Sequence, residues 1–112
     1  MSTHYRTLKS NKERIDFILK SSKCVVFYGG TWCPKCGELK PLFNKIAQKY
    51  GDDINFAYCD ITECDLNADK YQFVPRFDCY YKGKRAAKYI TSNQKSITNA
   101  IWDFIKNDKY KH

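Results

Sequence analysis

The chain has 112 residues, 43% apolar and 16% aromatic, with six cysteines and a formal net charge of +8. That is enough for one domain around a single core of modest stability, and no apolar run approaches the roughly 18 residues of a membrane span. Lysines are scattered from Lys9 to Lys111 without a block of like charge, which reads as a solvated basic surface biased toward acidic partners, not a nucleic-acid module.

The opening stretch MSTHYRTLKSNKER has no apolar segment of the signal-peptide kind. The expectation is a reducing cytoplasm, where six cysteines are a redox pair or a metal site plus structural thiols, not a disulfide framework. Ser10, Asn11, Lys12 and Glu13 form a capping box before Ile15, Phe17, Ile18 and Leu19, which predicts a helix over 11–20. KCVVFYGG follows, a short apolar run closed by two glycines, the pattern of a strand in the middle of a sheet. Leu39, Leu42, Phe43, Ile46, Ala47 and Tyr50 then recur at helical spacing until Gly51 stops the pattern. INFAYCDI reads as a second central strand and DLNADKY as a short helix. RFDCYYKGKRAAKYI reads as a hairpin turning at Lys82-Gly83-Lys84. Ile97, Ala100, Ile101, Phe104 and Ile105 mark a last amphipathic helix. The order is helix, strand, helix, strand, helix, hairpin, helix. A βαβ unit with a right-handed crossover followed by a ββα unit gives an α/β fold, a mixed sheet with helices on both faces.

The chemistry concentrates in GGTWCPKCGELKP, residues 29–41. Cys33 follows a strand and opens a helix, where unpaired amides and the positive dipole end favour thiolate over thiol. Cys36 lies one turn further in, more buried, with a higher pKa, and is placed to resolve a mixed disulfide formed at Cys33. The competing use of CPKCG is a zinc knuckle, which needs two more ligands. Cys59 and Cys64 are the available pair, but Cys59 falls inside an apolar strand and a long helix, not a hairpin, follows Cys36. His4 and His112 read as surface residues, and no metal is expected.

Trp32 before the pair, Pro41 five residues after Cys36, Val74-Pro75 before the hairpin and Gly83 at its turn together resemble the thioredoxin family. The likeness runs from about Tyr5 to Asn107. It implies the thioredoxin fold, reversible reduction or oxidation of protein disulfides, no bound cofactor, and a monomer. It also implies recycling by a reductase, either thioredoxin reductase or the glutathione system. Carried onto this chain, it makes Cys33 the attacking thiol and Cys36 the resolving one. Pro75, if cis, would face the pair and leave the Val74 backbone free to bond an extended substrate. Trp32 would form part of a flat apolar contact surface.

The chain also departs from that family. Pro34 and Lys35 stand where thioredoxins have Gly-Pro. The Lys35 cation would stabilise the Cys33 thiolate by less than one pK unit, which implies a couple more oxidising than the about −270 mV of thioredoxin. Counting back from Cys33 puts Phe27, or with a one-residue slip Val26, where the family has its buried aspartate. Asp78 is the candidate substitute, a base if desolvated or otherwise a side chain facing solvent. Two residues are missing before Pro75, and Thr91 stands where many members have glycine. Arg76 replaces a threonine and would sit at the groove mouth or in solvent. Cys24, Cys59 and Cys79 read as small buried hydrophobes. Cys64 reads as a loop thiol open to modification or to an inter-chain disulfide. Two other functions fit less well: a glutaredoxin-like, glutathione-linked reductase suggested by Cys-Pro-x-Cys, and a thioredoxin-fold interaction module with idle cysteines.

Overall fold

Strand Lys23–Gly29 is buried along its whole length, as its apolar run predicts for a central position. A computed structural model describes residues 3–66 and 68–111. In chain order its strands are β1 Arg6–Leu8, β2 Lys23–Gly29, β3 Asn55–Asp60, β4 Arg76–Tyr81 and β5 Lys84–Ile90. Its helices are α1 Asn11–Lys20, α2 Pro34–Tyr50, α3 Ala68–Tyr71 and α4 Gln94–Lys106. The sheet runs β1-β3-β2-β4-β5; β1, β3 and β2 are mutually parallel, and β4 and β5 close the other side as an antiparallel hairpin.

Most of the expected elements are present. Ser10 Oγ accepts from the Glu13 amide at 3.1 Å, and Glu13 Oε1 accepts from the Lys9 amide at 3.2 Å, so the capping signal does start α1. The strand β1 was not expected: of its three residues only Leu8 is buried, too short a run for a two-residue alternation to register. The helix read over 65–71 is a single turn, Ala68–Tyr71. Asn67, within that reading, and His112, expected at the surface, lie outside the described residues.

Alternation along the strands divides the core in two. Val25, Phe27, Phe56, Tyr58, Phe77 and Cys79 face α2 and α4, together with Cys36, Phe43 and Ile101. Cys24, Val26, Tyr28, Ala57, Cys59 and Tyr80 face the other way, onto Phe17 and Ile18 of α1. Phe27 stacks on Phe77 at 4.4 Å between ring centres, so the position of the family's buried aspartate is filled by aromatic packing. Cys64 corrects an expectation. It does lie in the turn after β3, but the thiol donates to the Leu8 carbonyl of β1 and the residue is 1% exposed, so while that turn is closed it offers no surface thiol to a second chain or a reagent.

Candidate active site

Cys33 is the N-cap of α2 and Pro34 is its first residue, a position where proline's missing N–H and fixed φ suit a helix start. The Cys36 amide donates to Cys33 Sγ at 3.2 Å, and no acidic residue stands in the first turn. A sulfur held there sees free amides and the positive end of a 17-residue helix, which lowers the cost of a thiolate. Cys33 and Cys36 are joined as a disulfide, with Cα atoms 5.3 Å apart. Cys33 is half-buried and Cys36 is fully buried, so a macromolecular substrate meets Cys33 first.

A shallow groove of about 380 Å³ runs past the disulfide, with Cys33, Pro34 and Lys35 on one wall and Val74, Pro75 and Ile90 on the other. The Val74–Pro75 peptide is cis. Trp32 is 57% exposed beside it. Its indole lies over Gly30, where an added methyl would come within 2.6 Å of the ring, and its Nε1–H donates to Thr62 Oγ1 at 3.4 Å. The ring is therefore held flat against the surface. Lys35 Nζ lies 3.6 Å from the Glu38 carboxylate. That neighbour offsets part of the cation's field at Cys33, so the thiolate bias from Lys35 is smaller than the sequence suggests.

Asp78 is not where a base for Cys36 would be, nor does it face solvent. Alternation sends Phe77 toward Cys36 and Asp78 to the opposite side of the sheet, where it is 1% exposed. Both its oxygens accept from Arg76, at 2.8 and 2.9 Å, and Oδ2 also accepts from the Tyr80 hydroxyl at 3.2 Å. The chain of hydroxyls continues from Tyr80 to Tyr28 at 2.7 Å, and Tyr28 accepts from Arg14 at 3.1 Å. Arg76 is likewise buried, at 3% exposure, not at the groove mouth. Its remaining nitrogen donates to the Lys70 carbonyl at 2.7 Å, tying α3 to the segment that carries Val74 and Pro75.

A polar group close to Cys36 is Tyr58, which no motif in the sequence singles out. A methyl placed on Gly29 would stand 2.7 Å from the Tyr58 hydroxyl and 3.1 Å from Cys36 Cβ. Hydroxyl and thiol side chain thus flank one point that only glycine leaves open. Burial, and secondarily the charge of Asp60, push the Tyr58 phenol upward, so it is a protonated hydroxyl. Asp60 Oδ1 accepts from the Thr62 and Glu63 amides at 2.9 and 3.0 Å, while Oδ2 is buried without a hydrogen-bond partner among the described residues. The signal for Tyr58 was present in the alternation of INFAYCDI, but only the β2–β3 register, Gly29 against Asp60, brings it to Cys36. The zinc alternative fails on the same geometry. Cys33 and Cys36 belong to one core and Cys59 and Cys64 to the other, so the four sulfurs do not converge.

A mixed five-stranded sheet carrying a Cys-x-x-Cys disulfide at the start of its second helix defines a thiol–disulfide oxidoreductase of the thioredoxin fold. The chain belongs to the thioredoxin family, whose model, described as Thioredoxin, matches residues 6–106. It is 28% identical over 86 residues to Thioredoxin-like 3-3 of Arabidopsis thaliana, covering 75% of this chain and 68% of that one. It is 30% identical over 82 residues to the thioredoxin of Rattus norvegicus, covering 71% and 77%. Among solved structures it resembles oxidised mitochondrial thioredoxin 3 from Saccharomyces cerevisiae with a TM-score of 0.79 and 26% identity, over 91% of this chain and 99% of that one. Its activity is thiol–disulfide exchange through the Cys33–Cys36 pair.

Proposed function

We propose that the protein is a monomeric cytoplasmic oxidoreductase that reversibly reduces or oxidises protein disulfides, with Cys33 attacking and Cys36 resolving. The observation that carries this is the unequal placement of the two sulfurs: one half-buried at a helix start and facing the groove, the other sealed beneath it. An extended substrate segment lies along the groove against the Val74 backbone, Pro75 and Trp32. The Cys33 thiolate attacks one substrate sulfur, forming a mixed disulfide and expelling the other as thiolate. Cys36 gives up its proton and attacks Cys33 Sγ, releasing the second substrate thiol and closing the Cys33–Cys36 bond. Two electrons pass to the substrate, and a recycling reductase, of the thioredoxin reductase or glutathione kind, returns them. The Tyr58 hydroxyl, which faces Cys36 across Gly29, assists the resolving step. Binding needs no cofactor, because the redox equivalents reside in the sulfurs themselves.

Cys36→Ser stops the cycle at the mixed disulfide. The expected result is accumulation of protein partners linked through Cys33, with turnover of a protein disulfide and little activity in a glutathione-linked assay. No Cys33-linked partners would assign the chain to a binding role, and efficient glutathione turnover would assign it to the glutaredoxin-like one.

A further inference from the structure

We propose that Cys59 and Cys64 are a second redox pair, which closes to an intramolecular disulfide behind the turn that follows β3. Their sulfurs stand 2.8 Å apart, against about 2.0 Å in a formed disulfide. Cys59 is fixed in β3, paired across to Tyr28 on one side and Leu8 on the other. Cys64 is fixed from its own side: its amide donates to the Asp60 carbonyl at 2.9 Å, and its thiol donates to the Leu8 carbonyl at 3.4 Å. Both backbones are therefore already set, and bond formation needs only a small closing of the two side chains. No third His, Cys, Asp or Glu joins them among the described residues, so the chemistry open to the pair is oxidation, not metal binding. The pair is separate from the first, since it lies in the opposite core.

The oxidant is a low-molecular-weight disulfide such as oxidised glutathione. Cys64, in the turn, loses its proton and attacks that disulfide, forming a mixed disulfide and releasing one small thiol. Cys59 loses its proton and attacks Cys64 Sγ, releasing the second. Two protons and two electrons leave the protein, one S–S bond forms in it, and one is broken in the oxidant. Burial pushes both thiols upward, and both are enclosed, so the reaction waits on opening of the 61–66 turn and is slower than closure of Cys33–Cys36. The same turn carries Thr62, the acceptor for the Trp32 indole; an oxidised pair therefore braces the support of the substrate-facing tryptophan.

The test is disulfide mapping on the full chain. Protein equilibrated with excess oxidised glutathione is quenched in acid, denatured, alkylated and digested. The expected result is alkylation of Cys24 and Cys79 only, a peptide linking Cys59 to Cys64, and four electrons taken up on full reduction. The Cys33→Ser/Cys36→Ser variant should give the same linked peptide with two electrons, which separates this proposal from the reading of the first pair. Alkylation of Cys59 and Cys64, or glutathione retained on either, overturns it, as does absence of the linked peptide from that variant.

Discussion

Cys36 must lose a proton inside an apolar core, and Phe27 stands where the family keeps its carboxylate. The Tyr58 hydroxyl is the group the fold brings there instead. Positioned proton-transfer groups contribute about 10²–10⁴-fold to a step; a protonated phenol that only relays or solvates contributes less than that. Tyr58→Phe should therefore slow decay of the mixed disulfide by roughly tenfold or more and leave attack by Cys33 unchanged. Stopped-flow kinetics resolve the two steps, and equal resolution rates in both proteins would dismiss Tyr58. At the helix start, Lys35 and Glu38 act oppositely on Cys33. Both side chains are solvated, so each contributes well under one pK unit. Glu38→Gln should lower the Cys33 thiol pKa and make the couple more oxidising, by at most about 30 mV; Lys35→Gln should do the reverse. Ultraviolet thiolate titration of the two variants checks the signs, and shifts in the same direction would show that the pair does not set them.

At the scale of elements, β4 carries two chemistries on its two faces. Phe77 completes the core beneath Cys36, and Asp78 holds Arg76 on the far side. Breaking a buried pair leaves a charge without its partner, at about 3–5 kcal/mol. Asp78→Asn should therefore lower stability by several kcal/mol in urea unfolding, while the protein that remains folded resolves mixed disulfides normally; a large resolution defect with unchanged stability would restore Asp78 as a base. The sequence shows why this was hard to read. Asp78 is flanked by Phe77 and Cys79, so alternation places it off the Cys36 face, but no local pattern says that the off face is also covered, here by α1 and α3. Its direct partners Arg76 and Tyr80 lie on the same strand, and Tyr80 links onward to Tyr28 of β2 and Arg14 of α1. Legibility follows the range of the signal. The cap at Ser10, the apolar run of β2 and the helical spacing of α2 and α4 are local and were readable, as was the disulfide pair at the strand–helix junction. Strand β1, the burial of Cys64 and the meeting of Tyr58 with Cys36 depend on register between strands, which composition and period do not encode.

Across the whole molecule, the charge of +8 at pH 7 and the buried acids pull stability in opposite directions as pH rises. Loss of positive charge eases self-repulsion and favours the compact state. Against this, burial pushes the Cys24 thiol up to about 12 from 9.0 and pushes the Cys79 thiol and the Tyr28 and Tyr80 phenols upward as well. In the unfolded chain these groups release protons near 9.0 for the thiols and 10.0 for the phenols. Above those values the unfolded state binds fewer protons than the folded one, so stability falls with pH; below them the contribution of neutral burial is complete. Each group costs up to about 1.4 kcal/mol per pH unit once its unfolded form is ionised, whereas solvated surface charges change stability by tenths. The buried groups should win. The urea midpoint of the oxidised protein is expected to hold steady to about pH 8.5 and then drop steeply through about pH 9–11, more than one group alone can account for. A midpoint that stays level or rises across that interval would mean that the two cores open to water before these thiols and phenols titrate, and that net charge governs the alkaline limit instead.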